Sequence, residues 1–411
     1  MQMLTLRKED QSLNGSVRIT GSKSESNRLL ILQALYSGQI LIENLSDAAD
    51  TEVLQRVLSV SNGLVNVHHA GTAMRFLTAY FASETGRNIV LTGSERMKQR
   101  PIAILVDALR ELGAKIDYLE GKGCPPLKIR GRRLKGGCIE MNAQVSSQYI
   151  SALMLITSNF ENDLEIVLSG KLISLPYLRM TFDLLQKSGV ECSWQDRYIR
   201  IRPGRLVGEK SFSVESDWSS ASYYYAFTAL ARDCQLNLSV YKEDSLQGDR
   251  AISTIYRENF GVDTVFEGGR IHLNKNPCYA LPDRIELDLN ATPDIAQTIA
   301  VTCVGLQIKC LLTGLETLKI KETDRLQALQ NELTKIGAEV RVTTDALELT
   351  GFSPRQLDFC IDTYQDHRMA MAFAPLGLCY PIRIYQPEVV EKSYPTFWTD
   401  LQGLGFSIDR K

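Results

Sequence analysis

The sequence of 411 residues predicts a repeated α/β fold, and two observations support this prediction. The first is a local pattern that occurs six times, in which a polar or small-residue cluster leads directly into a compact apolar helix. The second is its spacing, because successive clusters lie 73 to 75 residues apart after a first interval of 49 residues. A pattern that returns at a nearly constant interval indicates repeated supersecondary units. The clusters are Ser22–Arg28, Ala70–Arg75, Ser146–Gln148, Ser219–Ser222, Thr292–Asp294 and Asp366–Arg368.

The helix of each cluster is apolar on nearly all sides, which predicts that it is buried. Most units contain a second, amphipathic helix that ends before a glycine, and glycine is expected there because it tolerates positive φ. These glycines are Gly113, Gly189, Gly261, Gly337 and Gly403. Short β-like runs lie between the helices. The clearest are Cys138–Met141, Leu164–Leu168, Tyr198–Ile201, Arg284–Leu289, Glu339–Val342 and Ala346–Leu349.

Composition excludes several classes of protein. The chain is 44% hydrophobic and 23% charged, which is typical of a soluble globular protein. Its formal net charge of -2 argues against a nucleic-acid partner, and no run of 18 or more apolar residues predicts a membrane span. The first ten residues lack the apolar run of a signal peptide, so a cytoplasmic protein is expected. The nine cysteines are irregularly spaced without a C-x-x-C motif, which predicts buried free thiols in a reducing cytosol.

The predicted helix starts are candidate anion sites. Free N–H groups and the positive end of the helix dipole attract anions at a helix N-terminus. Six such starts that face one cleft would attract anions even in a nearly neutral chain. The alternative is that the Ser, Thr and Asp residues are ordinary N-caps. Six clusters in register, several of them with Lys or Arg, favour the anion site.

Two motifs in the first third of the chain carry candidate binding residues. Lys23 and Arg28 lie five residues apart, and both could reach a ligand at the helix start, although a Ser-rich surface turn is the alternative. Gly71 opens the next helix, where the absence of a side chain lets the backbone approach a ligand closely. Arg100 follows before Pro101, which fits the first position of a further helix.

Two motifs in the last third add candidate catalytic groups. Glu322 lies between Lys321 and Arg325, so it is either part of a solvated salt-bridged face or a general acid/base flanked by phosphate-holding cations. His367 is one of four histidines in the chain, and a lone histidine is more often structural than catalytic. Its position beside Arg368 at an apolar helix start favours a role in the site.

Together these motifs resemble the enolpyruvyl transferase family, and within it the 5-enolpyruvylshikimate-3-phosphate synthases. The similar segments keep the order of the family and span nearly the whole chain. They are Gly21–Arg28, Ala70–Arg75, Arg96–Ile102, Ser146–Gln148, Ser174 with Pro176–Tyr177, Asp217–Tyr223, Gln247–Asp249, Pro293–Asp294, Lys321–Arg325, Asp366–Met371, and Lys392 with Tyr394–Pro395.

The resemblance implies a specific architecture. It predicts two domains, each an inside-out α/β barrel of three βαβαββ repeats. One domain would comprise residues 20–216, and the other residues 1–19 together with 217–411. The active site would lie in the cleft between them and would close on its substrates. We expect a monomer that needs no metal and no organic cofactor.

The resemblance also implies a reaction. The enolpyruvyl group of phosphoenolpyruvate would be transferred to the 5-hydroxyl of shikimate 3-phosphate, with release of phosphate. The catalytic residues would be Asp294 as proton acceptor, Glu322 for the proton at the methylene, Lys23 in contact with both ligands, and His367, which orients its neighbours. Shikimate 3-phosphate would be bound by Lys23, Ser24, Arg28, Ser146, Ser147, Gln148, Ser174, Asp294 and Lys321. Phosphoenolpyruvate would be bound by Lys23, Gly71, Arg100, Gln148, Arg325, Arg368 and Lys392.

Three positions differ from the usual family pattern. His69 replaces an Asn, Phe76 replaces a Pro, and Thr317 stands where some members have an Asn that contacts shikimate 3-phosphate. Gly71 is retained, and an alanine there would crowd the phosphate end of the second ligand. We therefore expect inhibition by glyphosate.

Two alternatives remain open at the level of sequence. The sister enzyme that acts on UDP-N-acetylglucosamine uses a reactive cysteine, and the corresponding stretch Thr92–Arg100 contains none. A non-catalytic anion-binding repeat protein would not need Asp294, Glu322 and His367 beside its cations. Phosphate release with each acceptor distinguishes these alternatives.

Overall fold

In a computed structural model of the chain, the described residues are 2–144, 146–204, 206, 208–353 and 359–410. The helices are α1 (Lys23–Leu35), α2 (Ala49–Val57), α3 (Gly71–Ser83), α4 (Glu95–Lys98), α5 (Ala103–Glu111), α6 (Ser147–Leu155), α7 (Leu175–Lys187), α8 (Trp218–Leu230), α9 (Ala251–Phe260), α10 (Ala296–Leu306), α11 (Arg325–Lys335), α12 (His367–Phe373) and α13 (Phe397–Gly403).

The strands alternate with these helices along the chain. They are β1 (Met3–Arg7), β2 (Ser12–Arg18), β3 (Ile40–Glu43), β4 (Asn62–Asn66), β5 (Asn88–Thr92), β6 (Lys115–Tyr118), β7 (Leu127–Arg130), β8 (Gly137–Asn142), β9 (Leu164–Ser169), β10 (Cys192–Gln195), β11 (Tyr198–Ile201), β12 (Lys210–Ser213), β13 (Asp233–Ser239), β14 (Val262–Glu267), β15 (Arg270–Lys275), β16 (Arg284–Asp288), β17 (Lys309–Thr313), β18 (Ala338–Val342), β19 (Leu347–Phe352), β20 (Cys360–Ile361), β21 (Ile382–Tyr385) and β22 (Ser407–Arg410).

The chain divides into two compact units. The central unit is Gly21–Val214, and the terminal unit combines Met1–Thr20 with Glu215–Lys411. Ser216 belongs to the terminal unit because its hydroxyl donates to the carbonyl oxygens of Ile19 and Ser239. The predicted boundary of 20–216 differs at three positions, because it places residues 20, 215 and 216 in the central unit.

One sheet topology recurs in both units. Each four-stranded sheet has a parallel pair followed by two antiparallel strands, in the orders β4-β5-β7-β6, β8-β9-β11-β10, β2-β13-β15-β14, β16-β17-β19-β18 and β20-β21-β1-β22. In the last sheet, strand β1 from the start of the chain pairs antiparallel with both β21 and β22. The parallel pair β3-β12 is the third sheet of the central unit.

The buried helices are the crossovers of these sheets. Parallel neighbours cannot be joined by a tight hairpin and need a crossover, usually a helix. Helices α3, α6, α10 and α12 connect the two parallel strands of one sheet. Helices α1 and α8 differ, because α1 follows β2 and precedes β3, which pairs with β12. Helix α8 follows β12 and precedes β13, which pairs with β2, so the chain passes between the units before α1 and before α8.

These crossover helices form the interior of each unit, with the sheets outside. In α10 every side chain from Ala296 to Val304 is buried. Its hydroxyls are hydrogen-bonded inside the core, since Thr302 donates to the Thr298 carbonyl at 2.8 Å and also pairs with the Tyr256 hydroxyl at 2.7 Å. Buried polar groups with such partners avoid the cost of desolvation.

The predicted helix ends hold with one exception. Gly113, Gly189, Gly261 and Gly337 have φ values of 101°, 88°, 65° and 88° directly after their helices or as the cap. Gly403 instead lies inside α13, and the positive φ of 86° falls at Gly405.

The cysteines are free thiols, as predicted, but most are not buried. Cys234, Cys303 and Cys310 are buried, whereas Cys138 and Cys278 are exposed. Strand β8 places Cys138 at an outward position, because alternate side chains of a strand point to opposite faces. In the part of the chain that the structure describes, no helix has both the length and the apolar character needed to cross a membrane.

Gly21 lies where the chain enters the central unit, and a larger residue there should destabilise this unit. A Cβ at Gly21 would lie 1.9 Å from the carbonyl oxygen of Asn44 and 2.8 Å from Cγ1 of Val214. Gly21→Ala should lower the free energy of unfolding by about 2 kcal/mol or more through overpacking, measured by urea unfolding. Gly121→Ala is the control, since a Cβ there meets nothing within 4 Å. Equal stability of the two variants would contradict this account of the chain entry.

Candidate active site

Arg325 is the centre of the candidate site in the terminal unit. Its side chain is 2% exposed and stands at the first position of α11. Its guanidinium contacts three carboxylates: Asp294 at 3.0 Å, Glu322 at 3.0 Å and Asp366 at 2.7 Å. A buried guanidinium needs such partners because an unpaired buried charge is strongly unfavourable. Arg325 therefore fixes the relative positions of three chain segments.

Asp294 contacts three cationic side chains. One of its carboxylate oxygens lies 3.3 Å from Nζ of Lys321 and 3.0 Å from Arg325, and the other lies 3.3 Å from Arg368. Arg368 also donates to the Asp294 carbonyl at 3.1 Å. Asp294 occupies the short 3-10 turn Pro293–Ile295 that leads into α10, as its cluster in the sequence predicted. The arrangement binds both the side chain and the backbone of Asp294.

The electrostatics of Asp294 favour its ionised form. Burial alone would raise the pKa of the Asp294 carboxyl, but Arg368, Lys321 and Arg325 together hold it well below its usual range. A carboxyl whose pKa is lowered on folding contributes stability above its unfolded pKa of about 3.9, and this is lost as pH falls through the folded value. Asp294 is therefore an anion at neutral pH.

Glu322 forms the second anionic position of this site. It lies in the turn before α11, not inside the helix, because Asp324 caps the helix by accepting from the backbone N–H of Gln327 at 3.1 Å. Its carboxylate pairs with Arg325 through one oxygen and with Lys392 through the other. The alternative of a solvated salt-bridged face does not describe this arrangement, because Arg325 is buried.

The start of α12 supplies Asp366, His367 and Arg368. The buried Asp366 carboxylate caps the helix by accepting from the Arg368 backbone N–H at 2.9 Å, and it also binds Arg325. His367 is 2% exposed, and its Nδ1 lies 3.6 Å from the Asp366 carboxylate. The predicted orienting role of His367 is compatible with this position behind the charged cluster.

Ser219 and Asp249 support Arg368, and neither was predicted as a site residue. The Arg368 guanidinium donates to the Ser219 hydroxyl at 3.2 Å, and Ser219 in turn donates to Asp249. Asp249 also accepts from Thr292. Burial, and then the negative charge of Asp294, raise the pKa of the Asp249 carboxyl. Both residues lie in segments that the family resemblance marked, which was the available signal.

In the central unit, Arg28 joins four helices. Its guanidinium donates to Thr181 at 2.7 Å, to Ser151 at 3.2 Å, and to the carbonyl oxygens of Ser24 at 2.7 Å and Tyr177 at 3.2 Å. It also lies 5.4 Å from the centre of the Phe76 ring. Phe76, which differs from the family pattern, therefore packs against a residue that is predicted to bind the substrate. Burial lowers the pKa of Arg28 to about 10, which leaves it charged at neutral pH.

Gly71 and Arg100 are in direct contact. A Cβ at Gly71 would lie 2.6 Å from Nη1 of Arg100, so the guanidinium occupies the space that a side chain would need. The N-cap of α3 is Ala70, which makes no side-chain capping bond. Arg75 donates back to the Gly71 carbonyl at 3.1 Å and to the Pro101 carbonyl at 3.4 Å, which ties the start of α3 to the segment after Arg100.

The serines predicted to bind phosphate lie at two other helix starts of this unit. Ser146 is the N-cap of α6 and accepts from the Gln148 backbone N–H at 3.3 Å, with Ser147 buried beside it. The Gln148 amide donates to Thr72 at 3.3 Å, which links α6 to the start of α3. Ser174 precedes α7 with a φ of 51°, and its carbonyl accepts from the Tyr177 backbone N–H at 3.1 Å.

Lys23 forms an ion pair with Asp50, a residue that was not predicted to belong to the site. Its Nζ lies 3.3 Å from the Asp50 carboxylate on α2, and Asp50 is buried. Ser24 follows Lys23 in the first turn of α1. Asp50 lies outside every motif of the sequence, and its contact with Lys23 joins two different helices, so the local pattern gave no signal for it.

The two units thus carry different parts of the predicted site. The residues that the terminal unit brings into one contact network are Asp294, Lys321, Glu322, Arg325, Arg368 and Lys392, with His367 beside them. The residues of the central unit lie at the starts of α1, α3, α6 and α7, with Arg100 between α4 and α5, and they are linked in smaller groups. Across the described ranges, no set of three or more His, Cys, Asp or Glu side chains is arranged to hold a metal ion.

Repeated α/β sheets with buried crossover helices, whose starts present cations balanced by carboxylates, provide a site suited to multiply charged anions. A protein-family model described as EPSP synthase, 3-phosphoshikimate 1-carboxyvinyltransferase, matches residues 8–60 and 54–401. The curated 3-phosphoshikimate 1-carboxyvinyltransferase of Bacteroides fragilis strain YCH46 is 43% identical over 400 residues, which cover 96% of each chain. That of Pasteurella multocida is 37% identical and covers 94% of each. The chain belongs to the EPSP synthase family.

Solved structures agree on the fold. The 2.37 Å structure of EPSP synthase from Acinetobacter baumannii matches with a TM-score of 0.77 at 22% identity over 100% of both chains. The enolpyruvyl transferase NikO from Streptomyces tendae matches with a TM-score of 0.78 at 14% identity over 100% and 99%. The predicted α/β fold class and the predicted family are confirmed.

Removal of Arg325 should expose how strongly the cluster depends on it. Arg325→Met leaves Asp366 and Asp294 buried with too few cations, so the free energy of unfolding should fall by about 3–5 kcal/mol at neutral pH. The deficit should narrow as pH falls, because the Asp294 carboxyl of the variant has lost one of the cations that lower its pKa and then takes up a proton. Urea unfolding at several pH values measures both effects. Arg232→Met, which removes an exposed cation, should leave stability nearly unchanged, and an equal loss in both variants would contradict the central role of Arg325.

Proposed function

We propose that this chain transfers the enolpyruvyl group of phosphoenolpyruvate to the 5-hydroxyl of shikimate 3-phosphate and releases phosphate. The product is 5-enolpyruvylshikimate 3-phosphate, an intermediate of the shikimate pathway towards chorismate and the aromatic amino acids. The observation that carries this proposal is the Asp294 carboxylate held by Lys321, Arg325 and Arg368 in a member of the EPSP synthase family.

The phosphoenolpyruvate subsite would use cations that are now paired with carboxylates. Arg325, Arg368 and Lys392 would bind the phosphate and carboxylate of this ligand, together with Lys23, Gly71, Arg100 and Gln148. Arg368 and Lys392 contact Asp294 and Glu322. When substrate anions take over these hydrogen bonds, Asp294 loses counterions that lower its pKa, so the pKa of this carboxyl rises. A carboxylate with a raised pKa is better matched to proton transfer near neutral pH.

The shikimate 3-phosphate subsite would draw on hydroxyls and cations at helix starts. Ser146, Ser147, Ser174 and Lys321 would hold its 3-phosphate, with Gln148 and Lys23 in contact with the ligand. Ser24 and Arg28 would hold its carboxylate, and Arg28 is already fixed in place by four hydrogen bonds to other groups. Preorganised donors of this kind avoid the reorganisation cost on binding.

The reaction would proceed in two stages. Asp294 accepts the proton of the 5-hydroxyl as the hydroxyl oxygen bonds to C2 of phosphoenolpyruvate. At the same stage C3 gains a proton delivered through Glu322. In the second stage the bond between C2 and the phosphate oxygen breaks, phosphate leaves with the proton that Asp294 had accepted, and a proton returns from C3 to Glu322. Lys23, Arg100 and the cations around Asp294 stabilise the negative charge on the departing phosphate. His367 would orient Asp366 and Arg368.

We further propose that closure of the two units brings both residue sets onto one pair of ligands. This explains why the predicted contacts of each ligand come from both the central and the terminal unit. The protein would act in the cytoplasm as a monomer, with small-molecule substrates as its partners, without a metal or organic cofactor.

Phosphate release tests the proposed reaction. The chain should release phosphate from phosphoenolpyruvate with shikimate 3-phosphate and not with UDP-N-acetylglucosamine. Lys23→Met should lose nearly all activity with an unchanged circular dichroism spectrum, because it removes a cation from both subsites. Release only with the sugar nucleotide would support the sister activity, and release with neither acceptor would refute the proposed function.

Gly71→Ala should separate phosphoenolpyruvate binding from folding. The added methyl group displaces the Arg100 guanidinium, which is the mobile end of a flexible side chain, so the fold should be retained. We expect the KM for phosphoenolpyruvate to rise about tenfold, since a cation loses its position on the ligand.

Glyphosate inhibition provides the companion measurement. The wild-type enzyme should be inhibited in competition with phosphoenolpyruvate, and Gly71→Ala should weaken this inhibition. Gly121→Ala, where a Cβ would enter open space, should behave as wild type in both assays. Wild-type activity that persists at glyphosate concentrations well above those that stop sensitive relatives would show that this prediction is wrong.

A further inference from the structure

The turn that leads into α12 has an unfavourable backbone conformation. Tyr364 and Gln365 have φ values of 52° and 57°, two successive residues other than glycine in the left-handed region. This region is disfavoured for residues with a side chain, and such residues persist where the surroundings hold them. The turn runs directly into Asp366 and Arg368, so its conformation determines where these two side chains lie.

Glu332 on α11 holds this turn at two points. Its side chain is fully buried, at 0% exposure. One carboxylate oxygen accepts from the Asp362 backbone N–H at 3.1 Å, and the other accepts from the Tyr364 hydroxyl at 2.6 Å. Asn331 donates to the same hydroxyl at 3.3 Å. The bonds to Glu332 therefore fix the turn just before its left-handed residues and at the first of them.

The same helix holds the far end of the turn. Arg325 at the start of α11 binds the Asp366 carboxylate at 2.7 Å. Arg325 and Glu332 are seven residues apart, which places them on one face of the helix with a separation of about 10 Å along its axis. One rigid helix thus holds the turn at both ends.

Lys335 provides the counter-charge from the solvent side. Its Nζ lies 2.8 Å from Glu332 and 2.7 Å from Asp362, and its side chain is 37% exposed. The ion pair explains how a fully buried carboxylate is tolerated. Lys335 makes no hydrogen bond to Tyr364. Loss of Lys335 would therefore leave both hydrogen bonds from the turn to Glu332 in place.

We infer that Glu332 is a positioning residue of the candidate site. It holds the left-handed turn so that Asp366 stays on Arg325 and the Arg368 guanidinium stays 3.3 Å from Asp294. The kinetic consequence rests on the proposed function, in which Arg325 and Arg368 bind phosphoenolpyruvate. A small displacement of such groups costs far more in rate than it costs in stability.

Glu332→Gln tests this role with little change in shape. The KM for phosphoenolpyruvate should rise about tenfold or more. The dissociation constant of shikimate 3-phosphate alone should stay within about twofold, because most of its predicted ligands lie in the central unit. Tyr364→Phe removes one bond to Glu332 and should shift the same KM in the same direction by a smaller factor. This second variant keeps the test decisive if Glu332→Gln folds poorly.

Lys335→Met is the matched control. It removes the ion pair to Glu332 and the ion pair to the Asp362 side chain, but leaves the two hydrogen bonds from the turn to Glu332 intact. Its KM for phosphoenolpyruvate should stay within about twofold of wild type, whatever its loss of thermal stability. Equal increases in KM in Lys335→Met and Glu332→Gln would overturn the inference, because they would assign the effect to the ion pairs of Lys335.

Gln365→Gly supplies a rescue experiment. Glycine adopts positive φ without steric cost, so a turn with glycine at this position should need less support from Glu332. The single variant should keep wild-type kinetics, and the double variant Glu332→Gln with Gln365→Gly should regain most of the lost affinity for phosphoenolpyruvate. Failure to regain any affinity would contradict backbone strain as the link between Glu332 and the site.

Hydrogen exchange separates this inference from the proposed function. Amides of residues 362–368 should exchange faster in Glu332→Gln than in Lys335→Met, with or without activity. An inactive wild-type enzyme would refute the proposed function while leaving this comparison intact. Unchanged exchange in this segment together with an unchanged KM in Glu332→Gln would overturn the positioning role.

Discussion

The ion pairs of the Arg325 guanidinium hold the candidate site of the terminal unit together. Arg325 stands at the start of α11 and contacts carboxylates that precede three different helices, Asp294 before α10, Glu322 before α11 itself, and Asp366 before α12. A buried cation of this kind is stable only when its partners stay in place. The same contacts that allow Arg325 to be buried therefore bring three helix starts to one point, which is where the candidate chemistry lies.

This arrangement explains how a chain with net charge -2 can gather two multiply charged anions. The cations of the terminal unit, Lys321, Arg325, Arg368 and Lys392, are paired with carboxylates. This pairing avoids the repulsion of unpaired like charges. Substrate anions would replace Asp294 and Glu322 as partners of these cations, which would raise the pKa of the Asp294 carboxyl when it must accept a proton.

Much of this structure could be predicted from the sequence, because it is encoded locally. The apolar helices after polar clusters are buried, and Gly261 ends α9 with a φ of 65°. The pairing of β2 with β13 and of β3 with β12 could not be predicted from local pattern, because it joins segments that are distant in the chain. The first residue of α11 is set by Asp324, which caps the helix by accepting from the backbone N–H of Gln327.

The site shows the same division between local and distant information. Family motifs gave the cations and Asp294, but they gave no sign of the residues that hold them. Glu332 lies in an amphipathic helix, where acidic residues usually face solvent, and Asp50 lies outside every motif of the sequence. Only the fold shows that both are buried and that they contact Lys23 and the turn before Asp366.

We expect the cations around Asp294 to exchange a carboxylate partner for substrate anions. A crystal structure with shikimate 3-phosphate and a stable analogue of phosphoenolpyruvate would show this exchange. Lys321 and Arg368 should donate to ligand oxygens, and Asp294 should lie within hydrogen-bond distance of the 5-hydroxyl. Bound ligands with Asp294 still in contact with Lys321, Arg325 and Arg368 at 3.0 to 3.3 Å would contradict the exchange.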